Sequence, residues 1–132
     1  MNNKKIGTIF EKEFCILASR YGFWAHRMQD NTNGQPADVI LCKNDVPILV
    51  DCKVCEKDVF VLSRIEENQW NAMTMWHNKG NRYAYFALRF EDEIRMISFL
   101  TLKDYKENGF KQLDYNRIVS ASKPFRLWKE MF

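Results

Sequence analysis

The 132-residue chain reads as an α/β fold: a mixed β-sheet flanked by helices, in the order helix, three strands, helix, two strands, helical pieces. Three observations predict it. An amphipathic stripe opens the chain. Two hairpin signals follow, one around Asn44-Asp45 and one around Glu91-Asp92-Glu93. A second helical stretch falls between the hairpins, which calls for helices on both faces of the sheet.

The first helix spans about residues 3 to 21. Ile6, Ile9, Phe10, Phe14, Leu17 and Tyr21 recur at helical spacing, and Gly22 ends the run as a C-cap. Phe23 to Met28 alternates as a strand does. Gln29 to Gln35 is a polar loop. Pro36 to Lys43 and Val46 to Lys53 are strands joined by the Asn44-Asp45 turn. Glu56-Lys57-Asp58 is a charged turn before the short apolar run Val59 to Leu62. Ser63-Arg64-Ile65-Glu66 has capping-box form and opens a second helix that runs to Gly80. Its apolar stripe is Ile65, Ala72, Met73 and Trp76. Tyr83 to Phe90 and Ile94 to Phe99 form the second hairpin. A short helix runs from Thr101 to Gly109. Phe125, Trp128, Met131 and Phe132 after Pro124 suggest a last helical turn with an apolar side.

Hydrophobic content of 46% and charged content of 28% argue against disorder. One domain over residues 1–132 is expected. No apolar run has the length of a membrane span, and Met1 to Lys5 lacks a signal peptide's apolar region. The expectation is a cytoplasmic protein with no membrane partner. A net charge of +3 permits nucleic-acid binding without requiring it.

The hairpin carries the chemistry. A two-residue turn at Asn44-Asp45 pairs Ile40 with Leu49, Val39 with Val50, and Asp38 with Asp51. Like charges set opposite one another between apolar strands repel. Something positive between them would hold the pair, and a divalent cation is the obvious choice. Lys53 shares the parity of Asp51, so it points to the same face. Two carboxylates, a main-chain carbonyl and waters suit magnesium. Metal-assisted hydrolysis of a phosphodiester is the chemistry implied.

On the first helix Glu13 falls inside the apolar stripe and Glu11 at its edge, beside Gly7 and Ala18. Wheel geometry does not choose between them. Gln69 sits in the middle of the second helix's stripe and must find hydrogen-bond partners, either at the carboxylate pair or on a loop backbone. Lys4, Lys5, Lys12, Arg20, Arg27, Lys43, Arg64 and Lys79 are candidates for a phosphate-facing rim. His26 and His77 lack partners at ligand spacing. Trp70, Trp76 and Tyr83 read as core. Cys52-x-x-Cys55 has zinc or redox spacing, but no second pair follows, and Cys52 faces away from Asp51. Buried, reduced thiols are expected.

Gly7-Thr8-Ile9-Phe10-Glu11, Pro36-Ala37-Asp38, Asp51-Cys52-Lys53 and the stretch Phe60 to Gln69, in that order, resemble the PD-(D/E)xK nuclease superfamily. Within it the chain looks most like the RecU-type Holliday junction resolvases. The resemblance implies a restriction-endonuclease-like fold in αβββαββ order. It implies Asp38, Asp51 and the Cys52 main-chain carbonyl as ligands of Mg2+, with Mn2+ able to substitute. Lys53 would be the catalytic lysine, Glu11 the helix acid, and Gln69 a support of the site or a substrate contact. It implies a homodimer acting on branched or four-way-junction DNA. Alternatives are another structure-specific or restriction-like endonuclease, a non-catalytic DNA-binding protein of the same fold, or a zinc or thiol protein built on Cys52 and Cys55. The chain departs from the pattern in three ways. Ala37 separates Pro36 from Asp38. The second acid is aspartate rather than glutamate. Only the loop Gln29 to Gln35 stands where RecU-type enzymes carry a projecting stalk.

Overall fold

The computed structural model describes residues 2–29 and 34–132. The chain opens with α1 (Asn3–Arg20), then β1 (Trp24–Arg27), β2 (Val39–Lys43), β3 (Val46–Cys55) and β4 (Val59–Val61). After a 3-10 turn at Leu62–Arg64 come α2 (Glu67–Asn78), β5 (Tyr83–Phe90), β6 (Glu93–Ser98) and α3 (Phe99–Glu107). The chain closes with β7 (Gln112–Asp114), α4 (Tyr115–Ala121), β8 (Lys123–Pro124), α5 (Phe125–Trp128) and a 3-10 turn at Lys129–Met131. The main sheet has the order β1-β2-β3-β5-β6-β8. It is mixed, because β3 and β5 run parallel while the other neighbours run antiparallel. Among the described residues no helix is long and apolar enough to cross a membrane.

The hairpin register is the expected one, with Val39 opposite Val50 and Ile40 opposite Leu49. Asn44 and Asp45 both take positive φ, 51° and 64°. That is the primed two-residue turn whose twist matches the strands, and Asn and Asp tolerate it best after glycine. The turn sets the count, and the count sets which residues face each other.

The sheet buries a core on each face. Phe10, Phe14 and Ala18 of α1 pack with Val39, Leu41, Ile48, Val50 and Trp128 on one side. Leu49, Phe60, Met73, Phe86, Leu88, Ile97 and Leu102 pack on the other. Successive β3 residues alternate between the two cores, so odd positions 49, 51, 53 and 55 share the face covered by α2.

Several boundaries differ from the sequence reading. The buried ridge of α1 is Phe10, Phe14 and Ala18, while Ile9 and Tyr21 are exposed. The ridge of i, i+4 neighbours lies on the sheet, which turns the expected stripe by part of a turn. Gly22, with φ 90°, closes α1 as expected. The cap of α2 is Glu66 rather than Ser63, with Gln69 completing the box. The 3-10 turn at Leu62–Arg64 intervenes and lets Leu62 and Ile65 reach the core. The sequence reading lacked β7, α4 and β8. Each is short and held by tertiary contacts. β7 pairs with β4. Buried Arg95 of β6 ties down α4 by donating to the Val119 and Ser122 carbonyls and to Ser122 Oγ. The polar loop expected at Gln29 to Gln35 lies partly outside the described residues.

Candidate active site

The β2–β3 ladder stops at the Val39–Val50 pair. Beyond it β3 continues beside β5 as far as Cys55, and β2 peels away. Asp38 stands at this fork. Its Oδ2 accepts the Cys52 N–H at 2.8 Å, so a side chain takes over where a ladder bond would have been. The N–H and C=O of one strand residue face the same edge. The Cys52 carbonyl therefore also faces the fork.

Asp51 lies next to this amide and is completely buried. Its Oδ1 accepts Gln69 Nε2 at 2.8 Å. Its Oδ2 is 3.2 Å from Lys53 Nζ, an ion-pair distance without the alignment of a hydrogen bond, and Oδ2 has no hydrogen-bond partner among the described residues. Burial pushes the Asp51 carboxyl well above its ordinary range. The neighbouring Asp38 carboxylate pushes the same way, and the Lys53 ammonium pulls against both.

Gln69 links the parts. Its Oε1 accepts the Glu66 backbone N–H at 3.2 Å and the Lys53 ammonium at 3.3 Å, while its amide nitrogen holds Asp51. Both partner sets considered from the sequence, carboxylate and backbone, are made at once. The capping box that starts α2 thus fixes the rotamer that serves Asp51.

The fork opens into a cleft of about 690 Å³. Glu11, Asp38, Cys52, Lys53 and Gln69 line it, with Asp51 beneath them. Glu11 reaches the cleft from α1 with its side chain only 13% exposed, and Arg27 of β1 pairs with it at 3.3 Å. Glu13 is different: its side chain is 59% exposed and paired with Arg89. The wheel reading that put Glu13 inside the apolar stripe is overturned by the rotation of that stripe. Of the two helix acids, Glu11 is the one that shares the cleft with Asp38.

Of the expected cationic rim, Lys4 and Arg64 line the cleft. Arg27 serves Glu11, and Lys43 donates to the Tyr21 carbonyl at the end of α1. Sequence reasoning missed Lys57, which also lines the cleft, and Asn68, whose amide holds the Gln35 carbonyl at 3.1 Å. Asn68 adjoins Gln69 in a polar run at a helix start, which was the signal available. The four cysteines are free. Cys52 and Cys55 fall in opposite cores because three residues of strand reverse the face, so they do not form a zinc pair.

The residues at the fork suit a small divalent cation. The donors are all oxygen: two carboxylates and a strand carbonyl. The buried Oδ2 of Asp51 lacks a directed donor, and a positive charge would relieve its repulsion with Asp38. Among the described residues no three His, Cys, Asp or Glu side chains converge as a metal cluster, so the protein's side-chain share would be two.

No family model matches the chain, and no curated protein matches it in sequence. Solved structures do match. The Holliday junction resolvase Hjc of the archaeal hyperthermophile Archaeoglobus fulgidus superposes with a TM-score of 0.71, covering 96% of this chain and 97% of that one at 20% identity. The fold is restriction-endonuclease-like. In this frame the acid pair and the lysine sit where β2 leaves β3, while β3 stays paired with β5.

Proposed function

We propose that this chain is a metal-dependent endonuclease that hydrolyses DNA phosphodiesters, with branched four-way junctions as its substrate. One observation carries the reading: a buried aspartate, a second aspartate and a lysine meet at the floor of a cleft in a strand fork. The archaeal resolvase fold and the RecU-like order of sequence motifs both support a junction-resolving role. A homodimer would follow from it, since two strands of a junction need two active sites.

Asp38, Asp51 and the Cys52 carbonyl would hold magnesium, or manganese in its place. When bound, such an ion lowers the pKa of water and screens phosphate charge. Lys53 carries the positive charge nearest the acid pair, and it is placed to orient a water or to steady charge gathering on phosphate oxygens. Gln69 restrains both Lys53 and Asp51. Glu11, held by Arg27, adds a third acid on the opposite wall. Hydrolysis adds the water oxygen to phosphorus and leaves its proton with the departing oxygen.

The test is cleavage of a synthetic four-way junction beside linear duplex and flap DNA of the same sequence, with and without magnesium. Asp51→Ala is expected to abolish cleavage while folding persists. Glu11→Gln is expected to lower the rate about 10- to 100-fold, and Glu13→Gln to leave it unchanged. Undiminished cleavage by Asp51→Ala would remove the mechanism. Equal cleavage of linear duplex would move the assignment to a restriction-like or repair nuclease.

A further inference from the structure

Trp24 is an edge-strand residue with 60% of its surface exposed. Its indole lies parallel to the His26 imidazole, with an interplanar angle of 12° and centroids 5.8 Å apart. Trp24 faces Cys42 and His26 faces Ile40 across the ladder. Ile40 packs toward the core that holds Leu49, so both rings lie on the same face of the sheet as Asp51 and Lys53. The helix α1 packs on the other face.

We propose that Trp24, backed by His26, is a stacking platform for one unpaired nucleobase of the bound DNA strand. The proposal rests on the nuclease reading above. Three arguments support it. Flat, exposed, parallel rings suit the π-face of a base, and such stacking tolerates any sequence. The position also fits. Met28 N–H donates to the Asp38 carbonyl at 2.8 Å, so residue 28 stands level with the acid pair and Trp24 is four residues further along β1. At about 3.4 Å per residue that is roughly 14 Å. A stacked strand covers that span in about four nucleotides. Finally, the exposed area is the size of a ring and not of a protein interface. One indole offers about 150–250 Å², against about 800 Å² per partner in a stable complex. The exposed apolar residues of α1, Ile9 and Ile16, lie across the sheet and do not extend the patch. A paired base has both faces covered by its neighbours in the stack. Only a base released at a branch, flap or end presents a face to Trp24.

The experiment uses the full chain in EDTA, with forked DNA carrying 2-aminopurine at unpaired positions one to five nucleotides from the fork, beside a fully paired duplex. Wild type is expected to quench the 2-aminopurine at a defined position. Trp24→Ala should lose the quenching and bind the fork about 5- to 100-fold more weakly, with duplex binding unchanged. Trp24→Phe should keep most of both effects. Size-exclusion chromatography with light scattering is run on each variant. Wild type that cleaves DNA with magnesium, while Trp24→Ala matches it on every substrate, overturns the platform alone. A change of oligomeric state in Trp24→Ala overturns it in favour of a second copy of the chain. Wild type that neither binds nor cleaves any DNA overturns the nuclease reading and the platform together.

Discussion

Asp51 is a carboxyl group with no exposed surface, one neutral amide donor and one ammonium at ion-pair distance. Its ordinary value is 3.8 and burial raises it well above that. The folded state therefore binds this proton more tightly than the unfolded chain does. The sign follows from linkage: stability from this group is present at low pH and is lost as pH rises from about 3.8 through the raised folded value. Ionising Asp51 in its buried place therefore costs stability. Asp51→Asn removes that cost and keeps an oxygen for Gln69. Its Tm is expected to exceed wild type, by about 3–5 °C for each 1 kcal/mol gained, with the gap widening as pH rises. Thermal melts of both proteins from pH 4 to 8 measure it. A Tm below wild type at every pH would mean that the Lys53–Asp51 attraction outweighs desolvation. Asp38, Asp51 and Lys53 were legible in the sequence because a two-residue turn leaves one pairing and strand parity leaves one face. Arg27 was not legible as the partner of Glu11. Sixteen residues and a helix–strand crossing separate them, and only packing joins such positions.

The helix α2 starts where the site needs it to start. Glu66 and Gln69 cap its first turn reciprocally, and the same Gln69 reaches Asp51 and Lys53. Local structure and the proposed site share one side chain. Gln69→Ala would free the Glu66 N–H, leave Asp51 Oδ1 without its donor and release Lys53. A loss of about 1–3 kcal/mol is expected from the buried bond and the cap together. Denaturant titration reads the stability, and junction cleavage reads the site. Gln69→Glu separates the two, because it keeps the cap acceptor but sets a carboxylate against Asp51. It should fall further in activity than in stability. The helix itself was legible from its periodicity. Its first residue was not, because Ser63 and Glu66 each begin a box of acceptable form. Burial of Leu62 and Ile65 in the core decided between them.

Across the whole molecule, two cores grip one mixed sheet, and the cleft opens where β2 leaves β3. The main strands, α1 and α2 were readable because each carries enough apolar residues to show its period. The closing third was harder to read. There β7 and β8 are held by pairing with β4 and β6, and α4 is tied down by Arg95. Besides Lys53, the cations on the cleft, Lys4, Lys57 and Arg64, come from three separate segments, so only the assembled fold makes them one surface. If each neutralises a phosphate, DNA affinity should fall with salt at a log–log slope that includes about −0.9 for each. Alanine at Lys4 or Arg64 is expected to make that slope shallower by about one. Fluorescence anisotropy across a salt series checks this. An unchanged slope would show that DNA does not enter the cleft there.

The Lys53 ammonium beside Asp51 has a further consequence. The acid pair already owns a counter-charge, tethered by a short aliphatic stem at an effective concentration that free ions in solution rarely match. Under the proposed function, loading the fork with a cation would be an exchange of occupants rather than the filling of a gap, and its affinity would be a difference between two attractions. Shortening or neutralising Lys53 should then tighten ion uptake even as it removes the proposed catalytic lysine, so occupancy and turnover would move in opposite directions.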